Sequence, residues 1–249
     1  MSEWDRSISW TKLNTYDTCG RQFKYKYVDE LEPDYDDDDT LRMDGINFHE
    51  YMELYYKVAR DEPTEELAVD IAQEQFTEEQ QYRYRPWIEY WHNYNVDLYD
   101  RFGEEHWKPV FLEEWVEVDI SDHVHHGYLD AIRWDPEREE YGVVDYKRTA
   151  KRNSRLHGQL AYYADFLLER ADLLDEEANW VGVYGYTTGE YKTWDVHWAS
   201  RKATKKKIDS LVALESGYEA NFGFHCKWCD FQEECWLDEN EESTASSLL

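Results

Sequence analysis

The stretch YGVVDYKRTAKR, residues 141–152, decides how the middle of the chain folds. Val143 and Val144 are apolar and β-branched, which favours a buried strand. Asp145 and Lys147 follow, and side chains two residues apart on a strand point to the same face. A core strand that ends on a carboxylate and an ammonium, and continues into a run of bases, predicts a functional site at its end. A surface ion pair is the alternative explanation.

Two more strands are predicted before this one. Residues 110–120 alternate between apolar and polar positions, and residues 126–134 precede a turn at Pro136. The short connections between the three strands predict an antiparallel meander. Glu114 is the carboxylate on the otherwise apolar face of the first strand, so it needs a partner. That partner is either a neighbouring metal site or water at a sheet edge.

Helical periodicity dominates the rest of the chain. Helices are predicted over residues 47–60, 63–80, 86–102 and 154–174, with Ser9 capping an earlier helix and Ser200 capping the last one. Pro63 and Pro86 are expected near helix starts. Residues 180–186 and 191–198 predict a hairpin around Gly189. The order of elements predicts a mixed α/β core with a helical N-terminal part.

Charge is the strongest feature of the composition. The 249 residues include 56 acids and 27 bases, for a formal net charge of −29. Such an excess argues against a general polyanion-binding surface. A halophilic source is favoured, because the Debye length falls to about 3 Å at 1 M salt and screens the self-repulsion; an acidic mesophilic protein is the alternative. No run of apolar residues is long enough to cross a bilayer, and the N-terminal residues do not resemble a secretory signal, so a cytoplasmic location is expected.

A second carboxylate is predicted near Asp145. If the strands pair across Pro136, Asp130 lies at about the level of Asp145. Two carboxylates in a partly buried place repel each other, and a divalent cation between them removes that cost. Mg²⁺ prefers such oxygen ligands. With Lys147 orienting or deprotonating a water, these groups suit metal-assisted hydrolysis of a phosphodiester.

Further motifs accompany Asp145-Tyr146-Lys147. They are, in chain order, Ser9-Trp10-Thr11-Lys12-Leu13, Gly45-x-x-x-His49, Gly127-x-x-Asp130 and Gln159-x-x-x-Tyr163. Together they resemble the RecB-like branch of the PD-(D/E)xK nuclease superfamily over most of the chain. The acid before the lysine is Asp, where many relatives carry Glu. The resemblance implies an α/β, restriction-endonuclease-like fold, in which helices flank a mixed β-sheet core and a cysteine cluster follows at the C-terminus.

The resemblance also implies roles for individual residues. The implied metal ligands for Mg²⁺ or Mn²⁺ are His49, Asp130, Asp145 and the backbone carbonyl of Tyr146, and the implied catalytic residues are Asp130, Asp145, Lys147 and His49. Gln159 and Tyr163 are one helical turn apart and would line the site near the substrate. The alternatives remain open: a helix histidine packed on aromatics for His49, a core-facing Tyr163 and a solvated Gln159.

Four cysteines complete the pattern: Cys19, Cys226, Cys229 and Cys235. Their spacing suits either Zn²⁺ or an iron–sulfur cluster. One distant and three clustered cysteines resemble the [4Fe–4S] arrangement of the CRISPR-associated Cas-four exonucleases and of the AddB nuclease domain. That resemblance implies a clasp between the two ends of the chain, with Trp228, Phe231 and Trp236 shielding the cluster. Zinc is the alternative.

Basic residues are concentrated in short windows. Arg148, Lys151 and Arg152 leave the predicted active site directly and are expected to bind the DNA backbone. A second window covers residues 201–207. The alternative for both is a solvated helix face.

The resemblance therefore implies a metal-dependent DNA exonuclease acting on single strands or duplex ends, in repair, recombination or CRISPR-type spacer processing. A repair helicase or CRISPR integrase subunit is a candidate partner, and no membrane is expected. The alternatives are an iron–sulfur DNA-binding subunit and a zinc-stabilised structural protein. Residues 1–237 are predicted to form one nuclease domain, in which 9–30 and 222–237 make the clasp and 44–105 a helical insertion, followed by a flexible acidic tail at 238–249.

Overall fold

The computed structural model describes residues 7–33, 40–59, 61–120, 123–151, 153–168, 178–213 and 218–236. The elements in these ranges are α1 Trp10–Thr18, α2 Gly20–Tyr27, α3 Thr40–Val58, α4 Glu65–Gln75, α5 Glu78–Phe102, β1 Phe111–Ile120, β2 His123–Asp135, β3 Glu140–Lys147, α6 Ser154–Leu168, β4 Ala178–Gly185, β5 Glu190–Asp195, α7 Trp198–Val212 and a short 3-10 helix Phe224–Trp228. Arg152 and the predicted tail at 238–249 lie outside the described residues.

The five strands form one mixed sheet in the order β1-β2-β3-β4-β5. Strands β1, β2 and β3 make the predicted antiparallel meander, and β4 and β5 make the predicted hairpin. Strand β4 runs parallel to β3, and α6 provides the crossover between them. Ala131 pairs with Val144, so the next residues along the two strands, Asp130 and Asp145, are neighbours, as the sequence predicts. The α/β fold is confirmed.

The sheet carries an apolar cluster on each face. One cluster packs under α1, α6 and α7 and includes Leu13, Val116 and Leu160. The other packs under α3, α4 and α5 and is rich in aromatic rings, among them Tyr51 and Trp91. Each face of the sheet is therefore covered by helices, and α3 reaches the sheet from the side of the aromatic cluster.

The predicted single apolar face of residues 110–120 is wrong. Glu113 has a φ of +48°, in the left-handed region. As a result, Leu112 packs against the aromatic cluster under α3 to α5, whereas Val116 and Val118 point into the cluster on the opposite face. A strand alternates regularly only while its residues keep extended backbone angles. One non-extended residue therefore resets which side chains face which side.

Two predicted helix starts are also wrong. Pro86 lies inside α5, which begins about two turns earlier at Glu78. Thr77 caps that helix, because its hydroxyl accepts from the Gln80 N–H and the Gln80 side chain accepts from the Thr77 N–H. Helix α7 begins at Trp198, before Ser200. By contrast, Ser9 caps α1 as predicted.

No helix in the described ranges has the length and apolar character needed to cross a membrane.

Candidate active site

Two carboxylates and one imidazole meet at the sheet, where β1 pairs with β2. His49 comes from α3, Glu113 from β1 and Asp130 from β2, and one nitrogen or oxygen of each lies within 4.8 Å of the other two. All three are partly buried. Imidazole nitrogen and carboxylate oxygen are donors that divalent cations accept, so this group is the candidate metal site.

The backbone brings these three residues together. Glu113 and Asp130 face each other in the β1–β2 register, between the pairs Leu112–Ala131 and Glu114–Leu129. The left-handed conformation of Glu113 falls at this point. Asp130 is held from the other side, because its Oδ2 accepts a hydrogen bond of 2.6 Å from the Tyr146 N–H.

The carbonyl of Tyr146 completes the donor set. His49 Nε2 lies 2.8 Å from the Tyr146 carbonyl oxygen, and His49 Nδ1 lies 3.6 Å from Glu113 Oε1. Adjacent ligands of an octahedral Mg²⁺ ion, each about 2.1 Å from the metal, lie about 3 Å apart. The separation of the His49 nitrogen and the carbonyl is close to that value. The donors present therefore fit a divalent cation.

The charge around His49 is strongly negative. Burial disfavours its imidazolium form, but the hydrogen bond to Glu113 and the charges of Asp130 and Glu113 outweigh burial and raise the pKa of His49 to about 9. A site that attracts a proton this strongly also attracts a metal cation, since both compete for the same negative field.

Asp145 and Lys147 lie beside this group and contact each other. Lys147 Nζ is 2.9 Å from Asp145 Oδ2, and Gln159 Nε2 donates to Asp145 Oδ1 at 3.3 Å. Burial raises the pKa of Asp145 to about 6; the Lys147 charge opposes this rise and the Asp130 charge adds to it. Burial works against the ammonium of Lys147, but Asp145 and Asp130 raise its pKa above the ordinary value. These two carboxylates therefore favour the ammonium form of Lys147, which donates a hydrogen bond to Asp145.

The predicted ligands thus divide into two neighbouring sets. His49, Asp130 and the Tyr146 carbonyl belong to the candidate metal group, and Asp145 lies outside the three-residue group but within the electrostatic reach of Asp130. That Asp145 ligates the metal stays a prediction.

The helix motif also reaches the site. Gln159 bonds Asp145, and Tyr163 is hydrogen-bonded to Gln159. A Cβ on Gly127 would lie 2.9 Å from Tyr163 Cε1, so glycine is what lets this ring approach β2. Gly45 lines the same cavity as His49. The motif residues that are scattered along the sequence therefore meet in space.

Sequence reasoning missed Glu113 and considered Glu114 in its place. Strand alternation places Glu114 among apolar residues, and nothing in a one-dimensional pattern indicates that Glu113 is left-handed. The signal that finds Glu113 is the pairing register, because it is the residue opposite Asp130.

A groove runs away from the site. The cavity beside His49 has a volume of about 440 Å³ and includes Lys147 and Arg148 in its wall. The same two residues line a second cavity of about 500 Å³, which continues along Lys151 and Arg155. Arg148, Lys151 and Arg155 are exposed, and none makes an ion pair within the part of the chain that the structure describes.

Helix α7 offers less positive charge to a DNA strand than its basic sequence suggests, because acids of this chain pair with some of its bases. Arg201 pairs with Asp165, and Lys207 pairs with Asp17. Lys207 lines a third cavity of about 470 Å³, which shares Arg155 with the second one. The second basic window is therefore partly neutralised by acids of this chain.

The four cysteines line one cavity of about 390 Å³ near α2 and the 3-10 helix. All four lie in the described ranges, where they form no disulfide. The Cys19 sulfur accepts from the Asn221 N–H at 3.4 Å, which ties the N-terminal part to the C-terminal segment. Phe231 is buried against this cavity, whereas Trp228 and Trp236 are exposed. Phe231 and Trp236 line the cavity and Trp228 does not, and the shielding of a cluster by these residues stays a prediction.

The size of the cysteine site bears on what it holds. A tetrahedral zinc ion, with Zn–S bonds of about 2.3 Å, brings its sulfurs to about 3.8 Å from one another. Within the described residues, the cysteines do not form a group of three whose sulfurs all lie within 4.8 Å, unlike the donors of the metal group. Whether the four thiols hold zinc or an iron–sulfur cluster stays a prediction.

Comparison with known proteins gives a family. A sequence profile of the PD-(D/E)XK nuclease superfamily matches residues 7–236. No curated protein sequence matches significantly. Among solved structures, SSO0001 is similar at 14% identity, with 93% of this chain and 87% of that chain covered and a TM-score of 0.39. A candidate exonuclease from Eubacterium rectale is similar at 13% identity, with coverages of 86% and 84% and a TM-score of 0.48. The profile match spans nearly the whole chain, and by that match the chain belongs to the PD-(D/E)XK nuclease superfamily.

Proposed function

We propose that this protein is a metal-dependent deoxyribonuclease that acts as an exonuclease on single strands or duplex ends. One observation carries the proposal: the metal group of His49, Glu113 and Asp130 lies directly beside the Asp145–Lys147 pair. Membership of a nuclease superfamily supports the same reaction class.

Mg²⁺ or Mn²⁺ is the proposed ion, held by His49, Glu113, Asp130 and the Tyr146 carbonyl, with Asp145 as a further ligand. A divalent ion there would supply a Lewis acid for the phosphate and lower the pKa of the attacking water. Asp130 is fixed by the Tyr146 N–H, and Asp145 is fixed by Gln159 and Lys147. The carboxylates therefore need little rearrangement to bind a cation.

Lys147 is proposed to act as a charged hydrogen-bond donor. Burial works against its ammonium form, but Asp145 and Asp130 raise its pKa, which favours that form. An ammonium at this position orients the water and stabilises the negative charge that develops on the phosphate oxygens. Its pairing with Asp145 holds the ammonium next to the metal group.

The groove beyond Lys147 is the proposed path of the DNA strand. Arg148, Lys151 and Arg155 supply positive charge, and among the described residues no carboxylate lines the groove with them. In a chain of net charge −29, an unpaired basic track that starts at the active site attracts a polyanion locally while the rest of the surface repels it. Gln159 lines this groove, and Tyr163 supports Gln159 from behind.

The four cysteines are proposed to hold a [4Fe–4S] cluster. The shared cavity that the four cysteines line supports a common metal centre, and the resemblance to iron–sulfur nucleases favours a cluster over zinc. Several further features are still predictions. They are the RecB-like affiliation, the pathway, a helicase or integrase partner, a cytoplasmic location and the division into clasp, insertion and tail.

The test is nuclease activity of anaerobically purified protein on end-labelled single-stranded, blunt duplex and closed circular DNA, with Mn²⁺ or with chelator. We expect Mn²⁺-dependent loss of the end label from linear DNA and intact circles. Asp145→Ala and Lys147→Ala should each abolish cutting while circular dichroism shows a folded chain. Cutting of circles would contradict the exonuclease assignment, and an active folded variant would contradict the catalytic assignment.

A further inference from the structure

An aromatic pair is exposed on β1 and β2, at one end of the strand order. Trp115 of β1 faces Tyr128 of β2 in the strand register, and their ring centroids are 4.8 Å apart. The side chains are 44% and 59% exposed, respectively. His126 stacks on Trp115 with a centroid distance of 5.3 Å and an interplanar angle of 24°. Cross-strand aromatic pairs stabilise sheets, but large exposed rings are also binding surfaces.

This pair lies next to the metal group. Trp115 follows Glu113 by two residues, and Tyr128 precedes Asp130 by two residues, so each ring is about 7 Å along its strand from a metal-group carboxylate. Val116 and Leu129 point into the cluster under α6. Because neighbours on a strand alternate, the two rings point to the other face, from which His49 of α3 approaches the site.

The chemistry around the rings selects the ligand. Glu117 and Asp119 are exposed and follow Trp115 at alternate positions of β1. This acidic surround disfavours phosphate, and the basic groove on the other side of Lys147 serves the backbone better. A neutral planar group that stacks on indole and phenol rings remains favourable beside carboxylates. A nucleobase has that chemistry, and the rings lie about one nucleotide of an extended strand away from the metal group.

We propose that Trp115 and Tyr128 form a stacking platform for an unpaired nucleobase adjacent to the bond that is cut. Base faces within a duplex are covered by their neighbours, so only a single strand or a frayed end exposes one to the platform. The platform rests on the nuclease function proposed above, and it is what gives the enzyme a preference for unpaired DNA.

The test measures binding apart from cutting. In an Asp145→Ala background, fluorescence anisotropy would report the affinity for a labelled single strand and for the matching blunt duplex. Loss of one stacked base weakens binding about fivefold to over a hundredfold. We therefore expect Trp115→Ala and Tyr128→Ala to weaken single-strand binding by that factor and duplex binding much less. Trp115→Phe should restore binding, whereas Trp115→Leu should not. Tyr82→Ala, at a fully solvated tyrosine of α5, is the matched control.

A scan with abasic nucleotides separates stacking from folding. Placing one abasic nucleotide at each position of the strand should weaken binding at one position near the cut, and Trp115→Ala should abolish that position dependence. Equal losses in both proteins, or an unchanged affinity of Trp115→Ala, would overturn the platform. So would a Trp115→Ala variant that loses only self-association, because the rings would then be a protein contact.

The two proposals fail in different ways. If the unsubstituted protein cuts DNA but shows no base-position dependence, the platform is wrong and the nuclease assignment stands. If it binds single strands through these rings but never cuts, the nuclease assignment is wrong and the platform stands.

Discussion

Glu113 shows how one backbone angle builds a site. Its φ of +48° is unusual for a residue with a Cβ, and such conformations cost free energy that the surrounding structure must offset. The pairings on both sides, Leu112 with Ala131 and Glu114 with Leu129, hold the strand in place around it. The unusual conformation puts a third donor next to His49 and Asp130.

Neighbouring glutamates offer a direct test of this residue. Glu113→Gln should weaken Mn²⁺ activation on the order of 10–100-fold, the loss typical of groups that support a metal site. Glu114→Gln, which removes the same charge one residue away, should leave the activation curve unchanged. The measurement is nuclease rate against Mn²⁺ concentration, with calorimetric titration of Mn²⁺ as an independent readout. Equal effects of the two substitutions would show that only the local charge matters.

The segment between β3 and α6 turns the active-site strand into a basic groove. Arg148 and Lys151 lie on this segment and Arg155 lies in the first turn of α6. The cavity-lining residues of α7 are Ser200, Ala203, Thr204 and Lys207. Lys202, Lys205 and Lys206 are exposed on α7 but do not line the described cavities. Position in the groove, and not the number of bases, should therefore decide which cluster binds DNA.

Salt dependence distinguishes the two clusters. Replacing Arg148, Lys151 and Arg155 together by Gln should reduce the slope of log affinity for single-stranded DNA against log salt by about 2, or about 0.7 for each lost phosphate contact. The triple replacement of Lys202, Lys205 and Lys206 by Gln changes the net charge equally and should leave the slope nearly unchanged. Anisotropy titrations between low and high KCl supply the slopes. A larger change in the α7 variant would move the DNA path onto that helix.

The N-terminal segment pairs with β2 beside a buried histidine. Ile8 bonds β2 through Ile8 N–H to the Val124 carbonyl at 2.7 Å and His126 N–H to the Ile8 carbonyl at 2.8 Å. The Tyr162 hydroxyl donates to the Ile8 carbonyl at 2.9 Å and lies 3.3 Å from His125 Nδ1. His125 is almost fully buried, so its charged form is disfavoured at this junction.

Acid should weaken this junction. Burial, with smaller effects from His123 and His126, lowers the pKa of His125 to about 4 from the ordinary 6.5. The folded chain binds fewer protons there than the unfolded chain, so stability falls as pH drops from 6.5 to 4, by about 3 kcal/mol at most. Urea unfolding across this range should show a shallower decline for His125→Asn than for the unsubstituted protein.

The partly exposed His106 provides the control, because His106→Asn should keep the full decline. Asp145 contributes with the opposite sign, since its raised pKa removes stability as pH rises from 3.8 to about 6. The difference between variant and unsubstituted protein isolates His125 from that contribution. An unchanged difference across the range would show that His125 does not titrate in this window.

For the molecule as a whole, the cysteine cavity joins the two ends of the chain. Cys19 lies between α1 and α2, and Cys226, Cys229 and Cys235 come more than 200 residues later. A cluster bound by all four closes nearly the entire chain into one loop. Closing a long loop removes conformational entropy from the unfolded chain, so such a link stabilises the whole fold.

Removing one thiol tests the link. Cys19→Ser and Cys235→Ser should each lower iron content and absorbance near 400 nm, because each removes a ligand. Cys19→Ser should reduce the melting temperature more, because it removes the N-terminal thiol that closes the loop. The measurements are iron and zinc analysis, the absorption spectrum and thermal unfolding under anaerobic conditions. A colourless unsubstituted protein with one zinc per chain would contradict the iron–sulfur proposal.

Local pattern was enough to predict most elements and half of the site. Alternation and short connections predict β1 to β5. The proximity of Asp130 and Asp145 follows from strand pairing across Pro136, because a short connection fixes the register of the two strands that it joins. Pro86 was misleading, since the Thr77 capping box begins α5 upstream and the helix tolerates the missing hydrogen bond.

The remaining features depend on contacts between segments that are distant in sequence. Glu113 enters the metal group because its backbone is left-handed where it meets Asp130, and Tyr163 reaches β2 because Gly127 has no side chain. The raised pKa of Lys147 arises from two carboxylates on two strands. Periodicity reports what each residue type prefers along one element, whereas distances between side chains, and the electric field they share, exist only once the strands and helices have packed together.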